Sequence, residues 1–527
     1  MDYSKLTLRE KVLQTFIVTI REVNRHGGPE KFFRDYPVGG MYYSLRPATV
    51  GTVELGTGTN PQRLAQCRAA SRFPLLICAD GCKLRGQSVD PSARAVGAIQ
   101  TEQAAYSYGR IIGMQMNGND IDWVLYPVAD LLYHRDMPLF AFSDDPAVTA
   151  KLCRAIIRGI QDQGVCATAK HFPGIGTCNL NMHFGPGSNR LSLDEWMQTY
   201  GYVYRELFQE GVCSVMTTHM TFPAYQDRCE NGYYPIATFS HRLTTELLKQ
   251  ELGFSGAVVT DALNMGGAAT GDPIEEAVQT FRAGSDLLLW PPVEAADRIV
   301  ELLQSGEIPM SRLDDALARI ERMRQFRERA QCRKDYAVPD AAQVDAMAAQ
   351  LNRDGLCLLR NALGLLPLGQ ADGKKIMIVD ITDESKRASS VLLKEELERR
   401  GFAATILRDI YDVASNVCWQ EDIDALQEQY DLVILNMDME YATMWKPQYM
   451  LVWGIHMFDR KKKIILNYGS AFFADTYLPE EATYIEVNAV ATALTVKELV
   501  DRMLGLAPWT GKRVLHSKPL IQTDISR

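Results

Sequence analysis

The chain has 527 residues, 46% of them hydrophobic and 23% charged, with a formal net charge of −9. That length exceeds what one hydrophobic core sustains, so at least two domains are expected. The negative balance, with no long Lys/Arg run, excludes a nucleic-acid partner, and no apolar run is long enough to span a bilayer. Eleven cysteines occur without a CxxC pair, which suggests neither a zinc site nor a disulfide framework. The start, Met1-Asp2-Tyr3-Ser4-Lys5, opens onto an amphipathic helical pattern rather than a leader peptide. A cytoplasmic setting is the expectation that follows.

Along the chain, strand-like runs occur at Gly39–Tyr43, Phe73–Ala79, Asp122–Val128, Val165–Ala169, Cys213–Thr217, Ala257–Thr260 and Ser285–Leu289. Amphipathic segments lie between them, such as Glu102–Met116, Pro146–Gln161, Leu193–Gln209 and Thr244–Glu251. Strand and helix in alternation imply parallel strands with crossover helices. The number of such units predicts a (β/α)8 barrel over residues 1–330, with one strand irregular. A charged helical stretch and Pro339 then form a linker and lead-in over 331–372. The pattern restarts at Ile376–Ile381, Thr405–Leu407, Leu432–Met437, Ile464–Tyr468 and Tyr484–Val487, with helices over Ser389–Arg400 and Val496–Leu504. This predicts a smaller α/β sandwich over 373–527, doubly wound and without a GxGxxG or P-loop motif, so no nucleotide cofactor is expected.

Polar residues punctuate the ends of the first set of strands. Asp80, Asp130, Lys170 with His171, His219 and Asp261 each follow a run. One such residue alone is ordinarily a cap or turn former, or a satisfied core histidine. Five at the C-terminal ends of barrel strands fall on the face where barrel active sites are built. His171, His183 and His219 lack an HxxxH spacing, and no metal is expected.

These residues resemble glycoside hydrolase family 3, in its β-N-acetylglucosaminidase branch. Lys170–Gly176, KHFPGIG, is similar to that branch's KHFPGHG signature, and Asn181-Met182-His183 stands where the branch carries Asp-Ser-His. Gly253–Leu263, GFSGAVVTDAL, resembles the segment bearing the nucleophilic aspartate. Val215–His219 resembles the strand before it, and Leu356–Leu368 the opening of the family's second domain.

The resemblance implies an exo-acting, retaining β-glycoside hydrolase with a small carbohydrate substrate. Asp261 would be the nucleophile and His183 the acid/base, with Asn181 orienting its ring. Asp80, Lys170, His171, His219 and Phe140 would contact the sugar. Three departures stand out. Asn181 replaces the branch's Asp, Phe140 replaces its sugar-binding Arg, and Gly81-Cys82-Lys83 replaces the usual Glu-Gly-Gly. Arg135 is near enough in sequence to supply a guanidinium, and Glu440 is an alternative acid. A β-glucosidase, a phosphorylase, or a catalytically reduced sugar-binding protein are the competing readings, and oligomeric state is not legible.

Overall fold

The computed structural model describes residues 1–43, 49–50, 53–54, 61–81, 92–133, 140–176, 178, 180–228, 232–331, 341–382, 387–408, 420–438, 458–469, 471 and 482–515. Arg135, Glu440, Cys82 and Lys83 lie outside the described residues.

Two compact units emerge. The first comprises residues 1–86, 105–131 and 149–340; the second takes 87–104, 132–148 and 341–527. Two stretches that chain order alone groups with the barrel, Phe140 among them, are therefore part of the second unit.

In the first unit, eight parallel strands form one sheet: β1 (Phe16–Thr19), β2 (Gly40–Tyr42), β3 (Leu76–Asp80), β4 (Trp123–Leu125), β5 (Cys166–Phe172), β6 (Ser214–Thr217), β7 (Ala257–Thr260) and β8 (Leu288–Leu289). Each pairs with its neighbour in chain order, β1 pairs with β8, and a bridge from Val259 to Leu287 closes the ring. This is the (β/α)8 barrel the alternating pattern predicts. The strand absent from that prediction is β1. It lies between the helices Leu8–Leu13 and Ile20–Arg25, and Thr19 both ends the strand and caps the second helix by accepting from Glu22 N–H. No Gly or Pro separates these elements, so helix and strand run together in the sequence.

Inward-facing side chains from the strands fill the barrel. Ile17, Trp123, Ala257, Val259 and Leu287 are fully buried there. Each large apolar residue so placed contributes roughly 1.5–3 kcal/mol. The Trp123 indole N–H donates to Thr168 Oγ1 at 2.6 Å and Ser214 Oγ at 3.0 Å, so the polar end of this interior ring is satisfied. The helix before β7, Arg242–Glu251, is π-wound, and Leu252 N–H reaches back five residues to the Leu247 carbonyl.

The second unit holds a six-stranded sheet of β9 (Cys357–Arg360), β10 (Lys375–Thr382), β11 (Ala403–Leu407), β12 (Leu432–Asp438), β13 (Lys463–Asn467) and β14 (Thr483–Glu486). Their order is β9-β14-β13-β12-β10-β11, all parallel except β9, which runs against β14. Ile376 and Ile378 face one apolar cluster, Met377, Val379 and Ile381 the other, so both faces are covered. The antiparallel edge strand β9 is the addition to the sequence reading. Within this unit the buried Arg94 donates to the Tyr468 carbonyl at 2.8 Å and to Asn488 Oδ1 at 2.9 Å, joining residues 87–104 to the sheet's loops. Among the described residues no helix is long and apolar enough to cross a membrane.

Candidate active site

The C-terminal ends of the barrel strands gather the residues singled out in the sequence. Lys170, at the end of β5, is buried, and its Nζ donates to Asp80 Oδ1 at the end of β3, 3.0 Å away. The adjoining Lys170–His171 and Phe172–Pro173 peptides are cis. His171 Nδ1 meets Asp130 Oδ2 at 2.7 Å, and the same oxygen accepts from the His171 main-chain N–H at 3.1 Å. Asp130 Oδ1 accepts from Ile175 N–H at 2.9 Å, and the residue is fully buried. Asp130 thus fixes both the ring of His171 and the loop after it, leaving Nε2 as the ring nitrogen for an outside partner. The sequence marks Asp130 as a strand-end residue but gives no sign of this clamp, because half of it is main-chain geometry.

Asp261 follows β7. Its N–H donates to the Thr217 carbonyl at 2.8 Å, Oδ1 accepts from Ala262 N–H at 2.9 Å, and Oδ2 accepts from the Thr218 hydroxyl at 3.5 Å. These bonds hold the carboxylate at a rigid strand end.

His219 lies beside it, fully buried. Its Nδ1 meets Thr238 Oγ1 at 2.9 Å and its Nε2 the Ala262 carbonyl at 3.1 Å. Both ring nitrogens are therefore committed to protein groups, and the sugar contact expected of His219 gives way to a supporting position behind Asp261. Burial pushes its pKa below the ordinary 6.5. The charge of Asp261 and the Ala262 carbonyl oppose that shift, and His171 and His183 reinforce it. Asp261, His171 and His183 are thus each near enough to act on His219.

The loop carrying Asn181 and His183 is exposed. Asn181 Oδ1 accepts from both the His183 N–H at 3.0 Å and its ring Nδ1 at 2.8 Å. Two donors on one atom fix the amide orientation, and Nε2 is the ring nitrogen that faces away from Asn181.

The loop does not hang free. The His183 carbonyl accepts from Gly266 N–H at 3.0 Å and the Met182 carbonyl from Gly267 N–H at 2.9 Å. A Cβ on Gly266 would sit 2.7 Å from the Phe184 oxygen, and one on Gly267 2.8 Å from the His219 Cβ. Glycine is required at both positions for this close approach. The segment that follows Asp261 is thereby the dock for His183. These glycines escaped the sequence reading; the adjacent Gly-Gly five residues after the aspartate was the available signal.

Phe140 is half-buried and belongs to the second unit. One group of side chains, Glu22, His26 and Glu294, brings three ligand atoms within 4.8 Å of one another. Arg25 is ion-paired at 3.0 Å to each of those carboxylates, so a guanidinium already supplies the positive charge.

Residues 7–323 match the glycosyl hydrolase family 3 N terminal domain. A β-N-acetylglucosaminidase/β-glucosidase of Cellulomonas fimi is 27% identical over 362 residues, covering 64% of this chain and 64% of that protein. A β-hexosaminidase of Thiobacillus denitrificans is 30% identical over 264 residues, covering 46% of this chain and 72% of that one. The chain spans 64% of the length of the first of these relatives, and 51% of that of β-hexosaminidase A from Pseudoalteromonas piscicida. Among solved structures, a family 3 β-N-acetylglucosaminidase from Paenibacillus sp. str. FPU-7 aligns with a TM-score of 0.78 at 22% identity, covering 98% of this chain and 99% of that one. The β-glucoside phosphorylase BglX aligns at 0.79 and 22% identity, covering 99% and 96%. At these identities the structural likeness speaks for the fold, and the sequence match for the family. The chain belongs to glycosyl hydrolase family 3.

Proposed function

We propose that the protein is an exo-acting, retaining β-glycoside hydrolase of the β-N-acetylhexosaminidase kind, acting on a small carbohydrate. The observation that carries this reading is the tether between the His183 loop and Gly266–Gly267, which brings a proton carrier to the segment that starts at Asp261. A nucleophile and an acid on one rigid frame is what double displacement needs.

In the first half-reaction an Asp261 oxygen attacks the anomeric carbon, and the C–O bond to the leaving group breaks. The departing oxygen takes the proton from His183 Nε2. In the second, neutral His183 removes a proton from water, whose oxygen displaces Asp261 from the sugar. The Lys170–Asp80 pair and His171, oriented by Asp130, hold hydroxyls of the terminal sugar. His219 supports the strand behind the nucleophile. Asn181 steadies the imidazolium through a dipole where a carboxylate would supply a full charge.

That last point favours a second reading, phosphorolysis. After the first half-reaction a neutral histidine beside a neutral amide presents no negative charge to an incoming anion, so phosphate can take the place of water. The neutral pair His183–Asn181 is the observation behind it.

The test of both is His183→Ala. Poor leaving groups need protonation in the transition state, so their kcat/KM should fall by about 10²–10⁴-fold, and nitrophenyl glycosides should lose far less. Azide, which attacks without base assistance, should restore turnover of the nitrophenyl substrate. Equal losses on both substrate classes, with no azide effect, would remove the acid role from His183. Sugar 1-phosphate formed by the unmodified protein in phosphate buffer would select phosphorolysis.

A further inference from the structure

A cavity of about 270 Å³ opens past the ends of β7 and β8, on the same face of the barrel as Asp261. Leu263 and Asn264, two and three residues beyond the nucleophile, form one wall, and Trp290 and Pro292, just after β8, form the facing one. Leu263 N–H donates to the Leu289 carbonyl at 3.0 Å, which fixes the two walls side by side.

Three features mark it as a built site. Trp290 has a left-handed backbone, φ 64°, an uncommon conformation for a bulky residue and one that concentrates at ligand sites. Its ring is propped edge-to-face on Tyr42, centroids 5.1 Å apart, and among the described residues its buried indole N–H has no hydrogen-bond partner. Glu276, 4% exposed, also lines the cavity. Its Oε1 accepts from Thr270 N–H, from the Thr270 hydroxyl at 3.0 Å and from Gly271 N–H at 3.2 Å. Among the described residues Oε2 is left uncommitted. That oxygen is open to the cavity and is available to a ligand hydroxyl or a water.

We infer that this cavity is a subsite for one further sugar ring of the substrate, beyond the terminal one. An indole and a proline offer an apolar platform for the C–H face of a sugar, while Oε2 of Glu276 accepts from a hydroxyl and the Asn264 amide completes the polar edge. The volume, near the lower bound of about 300 Å³ for small-molecule sites, suits a single ring. A cation is a poorer match, because Glu276 is the one carboxylate among the residues lining the cavity. The inference rests on the glycosidase reading, which supplies the sugar; the cavity's chemistry is independent of the catalytic step.

The test compares N,N′-diacetylchitobiose and cellobiose with the corresponding nitrophenyl monosides. In Trp290→Ala the ratio of kcat/KM for disaccharide to that for monoside should fall at least about tenfold, chiefly through KM. Asn264→Ala should move the ratio the same way, and Trp290→Phe, which keeps a ring, should move it less. A ratio within about twofold of the unmodified protein's for both alanine variants, each shown folded by its melting temperature, overturns the subsite. Titrating chitobiose and cellobiose calorimetrically into Asp261→Asn, with and without Trp290→Ala, separates this from failure of the glycosidase reading. Weaker binding in the double variant upholds the subsite even if no glycoside is turned over, and unchanged binding overturns it even if turnover is normal.

Discussion

At the lower end of the barrel Asp122 precedes β4 and Asp286 precedes β8; at the upper end Asp80 ends β3 and Asp261 follows β7. Asp286 Oδ2 accepts from Val258 N–H at 2.8 Å, while Oδ1 takes Lys249 Nζ and an Arg312 nitrogen, each at 2.7 Å. Asp122 is built the same way, with Ile77 N–H and Arg68 on one oxygen and Arg327 on the other, all at 2.9 Å. Asp261 has an amide and a hydroxyl and, among the described residues, no ion pair. A carboxylate neutralised by two cations is a strut between strands. One held only by neutral donors remains able to attack an electrophile. Residue type is shared by both ends; Asp122 and Asp286 are buried whereas Asp80 and Asp261 are only partly so, and partners and exposure together decide.

Substitutions at the two ends should therefore separate chemistry from stability. The largest effect is expected from Asp261→Asn, which should lower kcat by about 10³–10⁴-fold with an unchanged melting temperature, measured on an activated aryl glycoside. Near-normal rates would remove Asp261 from the mechanism. Asp286→Ala should do the reverse. It leaves Lys249 and Arg312 buried with half their counter-charge, at a cost of about 3–5 kcal/mol in urea unfolding, and the fraction still folded should turn over at the normal rate. Lost kcat with stability intact would mean the lower end takes part in the chemistry.

Gly266→Ala probes the tether at the upper end. The added methyl would meet the Phe184 carbonyl at 2.7 Å and push the His183 loop outward. Rates on poor leaving groups should drop by about tenfold, and those on nitrophenyl glycosides less. Equal rates on both would show that the loop's position is not set there.

The smallest effect is in acid. His219 has a folded-state pKa below its ordinary 6.5, so as pH falls below 6.5 the unfolded chain takes up the proton first and stability declines. Asp315, at the lower end, is held down to about 2 against its own desolvation by Lys249 and Arg319, so its contribution persists to pH 3.8 and is lost between there and about 2. Urea midpoints measured from pH 7 to 3 should show the His219 step first, and His219→Gln should remove it.

Much of the barrel was legible because buried parallel strands are short apolar runs, and seven of them stand between helical patterns. The strand Phe16–Thr19 was not, because its neighbours leave no punctuation, and neither was β9, whose antiparallel pairing depends on a strand more than a hundred residues away. Of the site, Asp261, Lys170 and His171 could be read from their places after strands. The clamp by Asp130, the withdrawal of His219 into protein hydrogen bonds and the dock at Gly266–Gly267 could not, since each depends on main-chain donors and acceptors that every residue carries alike. Phe140 illustrates the converse: sequence order groups it with the barrel, while its packing places it with residues 341–527.

The His183 loop is anchored through the carbonyls of residues 182 and 183, and its side chains take no part in those two bonds. Such an anchor is blind to what the loop displays. Residues 181 and 184 can be exchanged without rebuilding the mount, provided the two glycines beneath stay, so proton-transfer strength and the surface met by a leaving group are free to drift independently of the scaffold. An engineer could treat this stretch as an interchangeable cartridge, and a lineage could do the same one substitution at a time.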